Sequence, residues 1–134
     1  MRWTHFTLPV TDLAKSIEFF VKRCGLSVVR DRRSEGGNTV WVGPATPPEI
    51  DPESVVVLYK GVVSEPLDHF GFQCETREEV TALAERAKAE GILIEGHTDF
   101  GGSVGYFEVL REPSSHLVES TYGQPMRGLS AHVA

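Results

Sequence analysis

Two histidines and one glutamate are the side chains whose types and spacing suggest chemistry. His5 and His69 occupy matching slots in two copies of one unit, and Glu119 closes the second copy. The first copy reads WTHFTLPVTDLAKSIEFFVKRCGLSVVRD and the second LDHFGFQCETREEVTALAERAKAEGILIEG. In each copy a strand carrying the histidine runs into a helix that stops at a glycine. Gly25 follows His5 by 20 residues, and Gly91 follows His69 by 22. Two imidazoles meeting one carboxylate, with positions left open, make the facial ligand set used for Fe(II). The same set suits Mn, Zn, Ni or Co. The expectation is therefore one divalent metal ion per site, held by His5, His69 and Glu119.

The elements that must position these groups follow from periodicity. Residues 2–9 alternate as a strand, with Trp3, His5 and Thr7 on one face and Thr4, Phe6 and Leu8 on the other. Thr11 is placed to cap a helix whose Leu13, Ile17, Phe20, Val21 and Cys24 form an apolar stripe, and Gly25 to end it. Strands follow at 26–33 and 38–43 around the turn at 34–37, then a proline-rich loop, then a fourth strand at 54–60. The second unit repeats the order. Strand 67–73 leads to a capping box, Thr76 with Glu79, and a helix burying Val80, Leu83, Ala84 and Ala87. Gly91 ends that helix, and strands follow from 92, over 104–110 and over 116–121. The fold class is α+β: two βαβββ modules of mostly antiparallel sheet. One domain, 1–134, holds module 1 (2–60), a linker (61–66), module 2 (67–122) and a tail (123–134).

Strand parity tests the metal reading. Phe70, Phe72 and Cys74 share the face that packs on a helix, which turns His69, Gly71 and Gln73 the other way. Phe6 and Leu8 do the same for His5 and Thr7, and Val118 for Leu117, Glu119 and Thr121. All three candidate ligands thus take the non-helical face, the inside of a cup if the sheets curve. Two imidazoles and an acid in partly apolar surroundings need partners, since an unsatisfied buried polar group costs about 1–3 kcal/mol. A divalent ion satisfies all three at once.

Composition narrows the classes. The chain has 134 residues, 40% hydrophobic and 24% charged, which suits a soluble globular domain. A net charge of −6 without a basic cluster argues against nucleic acid as a partner. There is no long apolar span and no signal peptide, so no membrane association is expected. Cys24 and Cys74 are too few for a disulfide framework, and a cytoplasmic location is expected.

The chain resembles the vicinal oxygen chelate superfamily, which includes glyoxalase I, fosfomycin-resistance proteins, extradiol dioxygenases and bleomycin-resistance binding proteins. The likeness covers residues 2 to about 122. It rests on the opening His5-Phe6-Thr7-Leu8-Pro9-Val10-Thr11-Asp12-Leu13 with Ser16 and Phe19, on His69, and on the ending EPSSHLVE. The resemblance implies a U-shaped sheet around the metal with helices on the outer face. It also implies a homodimer with inter-subunit sites, His5 coming from one subunit and His69 and Glu119 from its partner.

Departures from the family pattern are informative. Val57 falls where four-ligand members carry a carboxylate or amide, and Pro9 where some glutathione-dependent members place an arginine. Glutathione-dependent glyoxalase activity is therefore not expected. Thr7 is shared with the fosfomycin enzymes, whose tyrosine would fall at Val109, and the dioxygenase tyrosine would fall at Leu110. Glu112 and Ser115 replace the usual Asp and Gly of the last turn. Thr7, Trp41, Val57, Tyr59, Gln73, Tyr106 and Thr121 are candidates for the substrate pocket. His97 and Asp99 are placed in a loop, and His116 and His132 are set aside. The leading expectation is a divalent-metal glyoxalase- or dioxygenase-type enzyme acting on a small substrate with neighbouring oxygens. The alternative is a non-catalytic binder, like the bleomycin-resistance proteins, that sequesters a small ligand in a dimeric groove.

Overall fold

A computed structural model describes residues 3–101 and 104–124, and among them lie two α-helices and eight β-strands. The chain divides into two compact units, Met1–Glu65 and Pro66–Ala134. In the first, β1 (His5–Val10) leads to α1 (Leu13–Lys22), β2 (Ser27–Asp31), β3 (Thr39–Gly43) and β4 (Val55–Lys60). In the second, β5 (Phe70–Gln73) leads to α2 (Arg77–Ala89), β6 (Leu93–Asp99), β7 (Tyr106–Arg111) and β8 (Leu117–Tyr122). This is the βαβββ order twice. The sheets run β1-β4-β3-β2 and β5-β8-β7-β6. In each, the first and last strands pair in parallel and the other neighbours are antiparallel.

Local chemistry explains the elements, with some corrections. Asp12 rather than Thr11 caps α1: its backbone is extended and its carboxylate accepts from the Lys15 N–H at 3.1 Å. The buried face of α1 is Ser16, Phe19 and Phe20, so the expected stripe is rotated and Val21 is exposed. Thr76 caps α2 as expected, accepting from the Glu79 N–H, but the Glu79 carboxylate reaches back to the Glu75 N–H. Val80, Ala84 and Ala87 are buried and Leu83 partly so. At Gly91 the chain turns left-handed, φ 72°, and two bonds close the helix end: Ile92 N–H to the Ala87 carbonyl and Gly91 N–H to the Lys88 carbonyl.

Two placements matter for the site. The segment 67–69 precedes β5 instead of belonging to it, so His69 lies one residue before the strand. It is anchored by a side chain: the Leu67 N–H donates to His116 Nδ1 at 2.9 Å, and His116 is almost fully buried. His97 and Asp99, expected in a loop, belong to β6. Residues 102 and 103, most of the expected tail, and His132 lie outside the described residues. Among the described residues no helix is long and apolar enough to cross a membrane.

Candidate metal centre

The second unit brings two of the three expected ligands together. His69 Nε2 and Glu119 Oε2 are 3.6 Å apart, and the Glu119 side chain is only 13% exposed. The register explains the approach, since Gly71 pairs directly with Glu119 across the parallel β5–β8 ladder. A Cβ on Gly71 would meet the Glu119 carbonyl oxygen at 3.2 Å and its Cβ at 3.3 Å. A side chain at this position would press on the Glu119 backbone and Cβ. Burial pushes the Glu119 carboxyl above its ordinary range; His69 opposes that shift and Glu95 adds to it.

Both histidines are tethered through Nδ1 by the residue before them. Asp68 Oδ1 lies 2.7 Å from His69 Nδ1, and the Thr4 hydroxyl lies 3.0 Å from His5 Nδ1. A carboxylate accepts only, so His69 Nδ1–H donates to Asp68 and Nε2 is the ring nitrogen left to face Glu119. A neutral imidazole lone pair and a carboxylate oxygen repel unless a cation, either a proton or a metal, lies between them. Two donors bonded to one ion at about 2.0–2.2 Å stand roughly 3–3.5 Å apart, close to the observed 3.6 Å. The pair thus fits two positions of the expected ligand set. Among the described residues there is no group of three or more His, Cys, Asp or Glu that could hold a metal ion.

Around the pair the second unit has a cavity of about 510 Å³ walled by Ile94, Phe100, Val104, Phe107, Val109 and Leu117, with Glu95 beside them. His5 lines a separate cavity of about 580 Å³ in the first unit, with Thr7, Trp41 and Val57. Three of the expected pocket residues are thus gathered around His5. Arg30 lies over the Trp41 ring at 5.3 Å and holds Glu35 through two bonds of 3.0 and 2.8 Å.

The remaining expected residues fall elsewhere. Tyr106 packs on the helix side with Cys74 and Val80, its hydroxyl 2.7 Å from that of Thr81 and Arg77 over its ring. The reason is register: Val109 pairs with Glu119 and shares its face, which sends Tyr106, Glu108 and Leu110 to the other. Thr121 is buried and donates to the Tyr106 carbonyl at 3.4 Å. Tyr59 lies against Gly61, and Gln73 is exposed on β5. His97 is at a third cavity, between α2 and β6, and its ring meets Tyr106. Asp99 pairs with Arg77 at 2.7 Å.

Sequence reasoning did not single out Asp68, Thr4, Glu95 or the Phe100–Phe107 wall. The Asp-His and Thr-His dipeptides were the available signal for the first two. It also passed over Glu108, which is fully buried on β7 with neither carboxylate oxygen in hydrogen-bond contact among the described residues. Burial pushes Glu108 up to about 7, while the nearby Ser120 hydroxyl pulls it down and Glu119 pushes it further up. The buried Cys74 thiol is raised to about 11, chiefly by burial, as befits an unreactive thiol.

Comparison with known proteins agrees with this architecture. The model of the Glyoxalase/Bleomycin resistance protein/Dioxygenase superfamily matches residues 2–120. An uncharacterised Pseudomonas aeruginosa protein, PA2024, is 35% identical over 128 residues, covering 92% of this chain and 89% of that protein. Among solved structures, the fosfomycin resistance protein FosX of Listeria monocytogenes superposes with a TM-score of 0.72 at 20% identity, covering 94% of this chain and 95% of FosX. TnmS3, an antibiotic binding protein from Streptomyces, gives 0.69 at 18% identity, with 91% and 95% covered. A possible glyoxalase from Bacillus cereus gives 0.69 at 25% identity, with 90% and 98% covered.

Proposed function

The chain belongs to the Glyoxalase/Bleomycin resistance protein/Dioxygenase superfamily, and on that footing we propose that it is a divalent-metal enzyme for a small substrate with neighbouring oxygens. The observation that carries the reading is His69 Nε2 facing Glu119 Oε2 at 3.6 Å, with the other ring nitrogen already held by Asp68. His69, Glu119 and His5 would hold the ion, His5 from a partner subunit in a homodimer with shared sites. When bound, the ion supplies Lewis acidity to the substrate oxygens. The chain's own residues do the rest. Asp68 fixes the ring of His69, Gly71 puts no side chain against Glu119, and the apolar wall excludes water around the reacting oxygens.

The test is metal analysis of protein purified without chelator or affinity resin. One ion per chain is expected, lost on His69→Ala and Glu119→Ala, and lost on His5→Ala if the site is shared. Affinity falls as pH drops below about 6, because imidazole must be neutral to ligate. A metal-free protein, or affinity flat between pH 5 and 8, overturns the reading.

A second reading is favoured by the same cavity. Six apolar side chains surround the acid, and such a wall suits a sequestering pocket without catalysis. TnmS3, described as an antibiotic binding protein, has a similar fold. Tight ligand binding that survives Glu119→Gln without metal would favour this reading.

A further inference from the structure

The last turn of the second unit reaches across to the segment that carries His69. Glu112, Ser114 and His116 are all buried in that turn, His116 at 1% exposure. Glu112 Oε2 accepts from the Ser114 N–H at 2.7 Å, and the Glu112 N–H donates to the His116 carbonyl at 2.8 Å. The turn is thus closed on itself and fixes the backbone of His116. From that base the ring accepts the Leu67 N–H on Nδ1 at 2.9 Å, across 49 residues of chain. A backbone N–H only donates, so Nδ1 of His116 accepts where that of His69 donates.

The two proposed ligands of this unit are held differently. Glu119 lies within the sheet, between Gly71 of β5 and Val109 of β7. His69 lies ahead of it, because the β5–β8 ladder begins one residue later, at Phe70 with Val118. Asp68 orients the His69 ring, yet Asp68 belongs to the same short segment and is 94% exposed. The bond from Leu67 to His116 ties that segment to the strand of Glu119, two residues before one ligand and three before the other. We propose that His116 is a positioning residue: by holding the Leu67 N–H it sets where His69 stands against Glu119. This rests on the functional reading above, and adds to it a residue outside the ligand set. A spacing of three turns His116 to the face opposite Glu119, the buried side it shares with Val118. Its ring therefore acts on the centre through Leu67 and not as a ligand.

The test separates the acceptor from the packing. His116→Asn keeps an acceptor, Oδ1, as many bonds from the backbone as Nδ1, whereas His116→Phe fills the space without one. In zinc titration of the full chain against a competing chelator, His116→Phe is expected to bind about tenfold more weakly than the parent. His116→Asn is expected to stay within about threefold of it. A merely structural role predicts affinities that follow the variants' urea midpoints instead of the acceptor. Amide exchange and nitrogen NMR of the metal-free chain read the cause. In His116→Phe the Leu67 amide exchanges at least about tenfold faster and the His69 ring nitrogens shift, and in His116→Asn neither changes. Should His116→Phe not fold, His116→Gln, whose acceptor stands one bond further out, takes its place with the same expectations. Zinc held by His116→Phe as tightly as by the parent, equal losses in the two variants, or an unmoved His69 ring each overturns the proposal. A parent that binds no zinc overturns the metal reading instead, and the metal-free measurements still decide whether His116 places His69.

Discussion

The two units share an order of elements and differ in what they bury. The sheet of the first buries Leu8, Val10, Val40, Val42, Val56 and Leu58, a wholly aliphatic face under α1. The sheet of the second buries Val118 and Leu110 alongside Glu108, and the turn that follows β7 buries Glu112 and His116 as well. Glu112 Oε2 accepts from the Ser114 N–H at 2.7 Å, and His116 holds the segment leading to His69. The two units share the scaffold, and the second buries ionisable groups near the strand that carries Glu119. The difference teaches that scaffold and chemistry are separable here. The first unit packs an aliphatic sheet face under its helix, and the second carries two of the three proposed ligands, His69 and Glu119, the third being His5 of the first.

Glu108 is the sharpest way to test that contrast. In the folded chain its carboxyl is raised from 4.5 to about 7 by burial, which corresponds to about 3 kcal/mol between the two protonation states. The folded chain therefore binds this proton more tightly than the unfolded one. Its contribution to stability is fully present below pH 4.5, is lost as pH rises through about 7, and stays lost above. Exposed carboxylates such as Asp31, Glu35 and Asp99 shift the other way, through arginine partners, and act at lower pH. In urea unfolding, Glu108→Gln is expected to remove the decline between pH 4.5 and 8 and to exceed the parent by about 3 kcal/mol at pH 8. An unchanged decline would mean that Glu108 is not the source and that the cores are electrostatically alike.

The two histidine tethers give the next contrast, between a charged and a neutral partner. Asp68 on His69 is a carboxylate but is 94% exposed; Thr4 on His5 is a hydroxyl. Removing an outer partner of a ligating histidine costs about 10–100-fold in metal affinity, and exposure puts Asp68→Ala near the lower end, about tenfold. Thr4→Val is expected to cost less, about threefold. Zinc titration against a competing chelator measures both. Nitrogen NMR of His69 in the metal-free protein checks the cause, because Asp68→Ala should lower the share of the Nδ1–H tautomer. Equal losses for the two variants would erase the distinction between the units.

Strand parity made part of the candidate site legible, because a period of two leaves little choice once one face is apolar. His5 and Thr7 line one cavity, with Trp41 and Val57 beside them, and His69 and Glu119 line another. Tyr106, a pocket candidate as an aromatic residue, packs on the helix side instead. The run Tyr106-Phe107-Glu108-Val109-Leu110 is apolar on both faces except at Glu108. A lone acid suggests that its face, and Tyr106 with it, points away from the core. The chain instead buries the acid. The α1 stripe failed for a related reason: Val21 fits a helical period, yet Ser16 takes the buried position. The helix ends were legible at Gly25 and Gly91, since both adopt positive φ. The Asp68 and Thr4 tethers depend on side-chain rotamers, which a residue list does not specify.

The smallest effect concerns the turn before β8, where the second unit departs from its own family's pattern. Ser115 adopts φ 72° and is the one non-glycine residue with positive φ among those described. The turn is closed by the Ser115 N–H donating to the Glu112 carbonyl at 2.8 Å, and Glu112 N–H donates to the His116 carbonyl at 2.8 Å. A Cβ in the left-handed region costs about 1–2 kcal/mol, and glycine removes that cost while adding freedom to the unfolded chain. Ser115→Gly is therefore expected to stabilise the fold by about 0.5–1 kcal/mol, seen as a higher urea midpoint with an unchanged slope. The strain sits next to His116, whose ring anchors Leu67 two residues before His69. If Ser115→Gly stabilises the fold and leaves zinc affinity unchanged, the turn is a scaffold feature. If affinity falls as stability rises, the strained turn positions the site through His116.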